Sequence, residues 1–248
     1  MRFNIYKEAR VSLYIIAFIM SVFLLFYFFA AMFTSMGYKD LRNSKAADEA
    51  LDNRQLIIID AGHGGEDPGA TANGLIEKDI NFELASLLDE LLNSCGYETV
   101  LTRKDDKLLY AEGQENKKKY YDLRNREEIA GKYSDAIFVS IHINKFSAEY
   151  CKGLQAFYSG NNDKSAELAD SIQNSARILQ TDNKRQTKCG DKTIYLLEHI
   201  KIPAVLVECG FISNNEEAEL LKNSNYKVAL SLSLYCGISE FTENINEN

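Results

Sequence analysis

Short apolar runs, each closed by a histidine or an acid and separated by helical periodicity, most constrain what this chain can become. Residues 56–59 (LIII) stop at Asp60, residues 136–142 (AIFVSIH) end in His142, and residues 203–207 (PAVLV) stop at Glu208. Runs this short are poor helices and read as strands buried on both faces. Weaker signals at 97–102, 153–158 and 193–197 bring the expected strands to six. Helical patterns lie between them at 78–94, 120–133 and 164–180, and two more close the chain at 215–222 and 226–235. Ile80, Leu84, Leu87, Leu88 and Leu91 share a face of the first, and Leu168, Ile172, Ala176 and Leu179 a face of the third. This alternation predicts an α/β class fold: a single domain with a roughly six-stranded sheet flanked by helices on both faces. In such sheets the functional crevice lies at the carboxyl ends of the strands.

The first run leads into Ala61-Gly62-His63-Gly64-Gly65, then Pro68-Gly69, and the loop ends at Glu77. The glycines let the backbone turn sharply and keep side chains clear of the histidine. A Gly-rich loop after a strand is more often a phosphate cradle or a tight turn. Here no Gly-Lys-Ser/Thr follows, and the glycines do not space as G-x-G-x-x-G. His63 and Glu77 are good zinc ligands, but two ligands leave a site open. His142 and Glu208, each at the end of an expected strand, supply two further groups. Catalytic zinc takes three protein ligands and keeps one position for water, whose pKa it lowers to ~7. His63, Glu77 and His142 are therefore read as metal ligands, and Glu208 as the catalytic base. A salt-bridged strand end is the alternative for Glu208. Its flanks, Val205-Leu206-Val207 and Cys209-Gly210-Phe211-Ile212, would solvate such a charge poorly. His199, in the polar turn 198–201, reads as surface. Asn144 falls on the side of His142 if the strand continues, where substrate orientation and a loop cap both remain open.

Residues 1–45 hold six Lys/Arg and two Asp/Glu, which leaves 22 and 34 for the remainder. A domain that acidic argues against nucleic acid as partner. Residues 11–33 carry no charge; as a helix they would span ~34 Å, enough to cross a bilayer. A cleaved signal peptide is the alternative, with Arg2, Lys7 and Arg10 as its basic start and Ser35-Met36-Gly37 as a weak cleavage pattern. The apolar run exceeds the ~7–15 residues usual for such a signal. The expected organisation is a membrane anchor or signal segment at 1–37, a tether at 38–54, the catalytic domain at 55–240 and a tail at 241–248. Cys95, Cys151, Cys189, Cys209 and Cys236 are scattered, odd in number and without a C-x-x-C pair, so they make neither a zinc knuckle nor a disulfide scaffold.

DAGHGGEDPGA, GLIEKDIN, DAIFVSIHIN and PAVLVECGFISNNEEAELL, in that order and spacing, resemble the zinc-dependent N-acetylmuramoyl-L-alanine amidases of the Amidase_3 family. The likeness covers about residues 55–240, and YYDLRNR, GLQAFYS and YLLEH add to it. Ala61 stands where the family often has proline, and Cys209 where it has a β-branched residue; neither is a ligand position. The resemblance implies one Zn2+ per chain held by His63, Glu77 and His142, with Glu208 catalytic. It implies hydrolysis of the amide between the lactyl group of N-acetylmuramic acid and the L-alanine of the peptidoglycan stem peptide. Likeness to the family's sporulation enzymes implies a role in spore cortex, where stripped muramic acids become muramic-δ-lactam after a separate deacetylase acts. It also implies, as some such enzymes require, a lipoprotein activator. Peptidoglycan lies outside the cytoplasmic membrane, so the N-terminus is expected inside and the domain outside. Some family members are held inactive by an extra helix ahead of the last strands, and residues 181–192 are too short for one. A zinc peptidase cutting within the stem peptide and a non-catalytic wall-binding regulator are the other readings; the second would be expected to lack a ligand or the base.

Overall fold

The computed structural model describes residues 55–190 and 193–246. The expected membrane segment and tether lie outside the described residues. Among the described residues, no helix is long and apolar enough to cross a membrane. The opening run forms β1 (Leu56–Ala61), followed by a two-stranded hairpin of β2 (Thr71–Ala72) and β3 (Leu75–Ile76) that was not anticipated. Next come α1 (Glu77–Ser94), β4 (Glu98–Leu101), α2 (Lys118–Ala130), β5 (Ala136–Asn144) and β6 (Gln155–Tyr158). The chain closes with α3 (Lys164–Leu179), β7 (Lys188–Cys189), α4 (Tyr195–His199), β8 (Ala204–Phe211), α5 (Asn215–Lys222) and α6 (Ser224–Asn246).

Six strands form one mixed sheet in the order β4-β1-β5-β8-β6-β7. β4, β1, β5 and β8 run parallel, and β6 returns antiparallel to β8. Ile57, Ile58 and Ile59 are fully buried, so β1 is covered on both faces; each such side chain contributes about 1.5–3 kcal/mol of burial. One apolar cluster joins Ile57, Ile59, Val139 and Val207 to Leu84 and Leu88 of α1, Leu168 and Ile172 of α3, and Leu230 and Leu234 of α6. A second, on the alternate strand positions Ile58, Phe138 and Leu206, takes in Ala130 of α2 and Leu196 and Leu197 of α4. The expected α/β domain with helices on both faces is what forms.

Several boundaries differ from expectation. The sixth strand is Lys188–Cys189, while the apolar segment at 193–197 mostly enters α4. Short apolar runs do not by themselves distinguish a buried strand from a buried helical turn. α6 extends to Asn246, through the segment expected as a tail, with Phe241 fully buried. β5 and β8 continue past His142 and Glu208, to Asn144 and Phe211. Those two residues are thus within strands, not at their ends, because β5 and β8 keep pairing after β1 has stopped at Ala61.

Candidate active site

β1 ends beside Ile141, whose carbonyl accepts from Gly62 N, and the chain then leaves the sheet. His63 sits two residues beyond the strand in the left-handed region, φ 62°. A non-glycine residue there is strained by roughly 1 kcal/mol or more, so its surroundings must hold it. Two buried arginines do. Arg103 donates from Nε to Ala61 O (2.9 Å) and from Nη2 to Gly62 O (3.3 Å) and Lys78 O (2.8 Å). Arg126 donates from Nη1 to Ala61 O (2.9 Å) and from Nη2 to His63 O (2.8 Å). Arg126 is itself paired with Asp60 (2.6 Å) and Asp122 (3.0 Å), with all three side chains about 1% exposed. Asp60 also accepts from Thr102 Oγ1 and Ser140 Oγ. Burial pushes the Asp60 carboxyl up, but Arg126 and the two hydroxyls outweigh it and hold it below its ordinary value.

Within this frame, Glu77 opens α1 and reaches both histidines. Its Oε1 lies 2.9 Å from His142 Nδ1 and 3.2 Å from His63 Nε2, and accepts from Ile143 N (3.2 Å). Its Oε2 accepts from Ala70 N (2.7 Å). Burial alone would raise the Glu77 carboxyl, but the two imidazoles hold it well below the usual carboxylate range. His63 Nδ1 lies 2.8 Å from Asp67 Oδ2, which leaves Nε2 facing Glu77. Burial would lower the His63 imidazole, and Glu77 and Asp67 raise it instead. Burial likewise opposes the ionised Asp67 carboxyl, but Lys119 and His63 bring it down to about 2.

His63, Glu77 and His142 each offer one donor atom, all within 4.8 Å of one another. Two ligands about 2 Å from one ion at a tetrahedral angle stand roughly 3.3 Å apart, close to the 2.9 and 3.2 Å seen here. Two imidazoles and a carboxylate therefore fit a divalent cation such as zinc in both chemistry and spacing. The cradle is tight: a Cβ on Gly62 would come 2.3 Å from His142 Nε2, and one on Gly69 2.5 Å from Glu77 Oε2.

Glu208 lies directly opposite His142 in the β5–β8 register. Its Oε2 is buried and has no hydrogen-bond partner among the described residues. Burial, opposed by the two histidines and reinforced by the charge of Glu77, pushes its carboxyl up to about 7. A carboxylic acid poised near neutrality beside a metal-sized donor set can accept and return a proton.

The four residues singled out from sequence thus come together. His199 is elsewhere, at the end of α4, where its ring stacks on Tyr195 at 4.1 Å and Nδ1 meets Tyr195 O. Asn144 stays in the strand, its carbonyl accepting from Ile212 N. All five cysteines are free, and Cys209 is fully buried. Sequence reasoning missed Asp67 and the Asp60–Arg126–Asp122 network. Their signals were present: an acid closing an apolar run at Asp60, a serine inside another at Ser140, and Asp122 and Arg126 four apart on one helix.

Residues 57–240 match the Amidase_3 family, described as N-acetylmuramoyl-L-alanine amidase. The chain is 34% identical over 192 residues to the germination-specific N-acetylmuramoyl-L-alanine amidase of Bacillus subtilis (strain 168), covering 76% of this chain and 81% of that one. It is 31% identical over 185 residues to the B. subtilis N-acetylmuramoyl-L-alanine amidase LytC, covering 74% of this chain and 34% of LytC. Among solved structures it resembles the CwlD amidase from Clostridioides difficile in complex with the GerS lipoprotein, with TM-score 0.74 and 39% identity over 77% of this chain and 100% of that one. The catalytic domain of CwlV from Bacillus (Paenibacillus) polymyxa var. colistinus gives TM-score 0.66 and 26% identity over 76% and 98%.

Proposed function

The chain belongs to the N-acetylmuramoyl-L-alanine amidase family and is an amidase of peptidoglycan; from that premise we propose that it is a zinc enzyme, with His63, Glu77 and His142 as ligands of one ion and Glu208 as its acid–base group. The observation that carries the proposal is the unpartnered, buried Glu208 Oε2 alongside a His/Glu/His donor set. Held by His63, Glu77 and His142, zinc would supply Lewis acidity toward the lactyl carbonyl and the attacking water. Asp67, against His63 Nδ1, fixes the ring so that Nε2 is the free donor. Glu208 takes the proton of the attacking water on a carboxylate oxygen and returns it to the amine of L-alanine as the C–N bond breaks. The burial of its Oε2 keeps bulk water from competing for that proton.

The reading extends to the cell. One similar protein is a germination-specific amidase and another is a CwlD amidase in complex with a lipoprotein. These support a role in germination and a lipoprotein partner; we extend this to removal of stem peptides from spore cortex, muramic-δ-lactam forming after a separate deacetylase acts, and the lipoprotein as activator. Residues 11–33 anchor the chain in the cytoplasmic membrane, and the domain works on its outer side, where peptidoglycan is.

The test compares Glu208→Gln with Glu77→Gln for zinc per chain and for release of stem peptides from peptidoglycan. Glu208→Gln keeps zinc and loses roughly 10²–10⁴ of the rate; Glu77→Gln loses zinc and activity together. The opposite pattern would mean that the two glutamates have exchanged roles. Mass spectra showing cuts within the stem, not before L-alanine, would make the enzyme a peptidase.

A further inference from the structure

Arg185 lies between α3 and β7. Its guanidinium packs 4.4 Å from the centroid of the Phe211 ring, and it donates from Nε to Lys152 O (2.8 Å) and from Nη1 to Gln155 Oε1 (3.1 Å). Both acceptors are neutral. The acids around it are engaged elsewhere: Asp182 and Glu216 pair with Lys152, and Glu217 accepts from Gly153 N and Phe211 N. A half-buried arginine is thus held rigidly by neutral acceptors; Glu217 feels its charge at longer range, but among the described residues no carboxylate hydrogen-bonds to it, and Nη2 carries none of these bonds.

Its place relative to Glu208 follows from strand register. Gln155 stands directly opposite Glu208 across the β6–β8 pair, so both side chains leave the same face of the sheet. The register shift between His142 and Asn144 sets Asn144 opposite Phe211. With one extra residue on β8, Phe211 returns to the face that carries His142 and Glu208. Arg185, packed on Gln155 and Phe211, is therefore on the reaction face, one strand beyond Glu208. Strands are about 4.8 Å apart.

That direction is the leaving-group side. Glu208 returns its proton to the amine of L-alanine, so the stem peptide departs past Glu208, away from His63. The second stem residue is D-glutamate, joined through its γ-carboxyl, and its α-carboxyl is a free anion or an amide depending on the cell wall. That carboxyl carbon is about 6 Å from the scissile nitrogen in an extended peptide. We propose that Arg185 is a specificity residue that reads the α-carboxylate of the second stem residue, through its free Nη2 edge. The proposal rests on the amidase reading above. Stacking on Phe211 and two hydrogen bonds pre-organise the guanidinium, so little side-chain freedom is lost on binding.

The experiment uses the full-length protein in detergent, with two probes measured in parallel. Binding of the free dipeptide L-Ala-D-Glu (γ-linked onward or blocked there) and of its α-amide is followed by calorimetry. Hydrolysis is followed on peptidoglycan strands whose stems are free or amidated at that carboxyl. The parent binds and cleaves the acidic form about 10–100-fold better, chiefly through KM, as a charge-assisted hydrogen bond would give. Arg185→Gln brings the acidic form down to the amidated one and leaves the amidated one unchanged, while Arg185→Lys keeps part of the preference. Equal losses on both forms would mean that Arg185 only props the loop, and a parent that does not distinguish them would equally overturn the assignment. Dipeptide binding reports on Arg185 whether or not the bond is cut, so failure of the amidase reading shows separately, as discrimination in binding without release of stems.

Discussion

Gly62→Ala tests how tightly the metal cradle is built. Gly62 is not among the residues with positive φ, so alanine brings no backbone strain of that kind. Its Cβ would instead stand 2.3 Å from both Cε1 and Nε2 of His142 and 2.8 Å from Cδ2. Carbon contacts settle at about 3.5–4.0 Å, so the ring must move by more than about 1 Å. It cannot do so and keep Nδ1 at 2.9 Å from Glu77 Oε1. Ligand distances in a working site hold within about ±0.2 Å, and misplacement by about 1 Å costs some 10² in rate. The variant should therefore lose most of its zinc and at least about 10² of its activity. The crowding itself costs about 1–3 kcal/mol, which lowers the melting temperature of a domain this size by roughly 2–12 °C. Metal analysis, stem-peptide release and thermal unfolding of the metal-free protein are measured on parent, Gly62→Ala and Gly131→Ala. The last is the control, since its Cβ would meet nothing nearer than Glu127 O at 3.5 Å. A folded Gly62→Ala with parental zinc and parental rate would refute the reasoning, because the His142 ring would then not be where the chemistry requires it.

Arg126→Met leaves Asp60 and Asp122 buried without their shared cation, and should lower unfolding stability by about 3–5 kcal/mol; a urea midpoint shift worth less than ~1 kcal/mol would remove the clamp from the account. In the metal-free protein, burial pushes the folded Glu208 carboxyl up to about 7 from its ordinary 4.5, so its stabilising contribution is fully present below about pH 4.5 and is lost as pH rises through 7. The loss is about 3 kcal/mol; chelated Glu208→Gln should lack that part of the slope, and parallel stability–pH curves for parent and variant would contradict it. Full-length protein should fractionate with membranes, and a chain starting near Asp52 should be soluble and active. Recovery of mature protein beginning at Tyr38 would identify the apolar segment as a cleaved signal.

Much of this was legible before any fold was known, and for a definite reason. Burial repeats along the chain with the period of the local structure, so β1, β5 and β8 announced themselves as apolar runs, and α1 and α3 as stripes. Histidine and glutamate closing such runs are expensive to bury, which made His142 and Glu208 visible, and the glycine-rich loop after β1 drew His63 and Glu77 into the same group. Where the local signal failed, the failure was also physical. β7 is two exposed residues with no apolar pattern, recruited only because Tyr158 offers it an edge. The segment at 193–197 was apolar enough for either structure, and packing against Ile58 and Phe138 made it helical.

What lay beyond the sequence was pairing at a distance. Asp60 and Arg126 are 66 residues apart, and no periodicity links them. They meet because α2 settles on the β1–β5 face, where Ser140 happens to stand beside Asp60. The left-handed His63, the ring of His142 against Gly62, and Arg185 one strand beyond Glu208 arise in the same way. Residue type and spacing determined which groups can do chemistry here. Which of them share a face, at what distance and with what charge behind them was decided by strand order and helix packing, since burial and pKa depend on neighbours brought together only in the folded state.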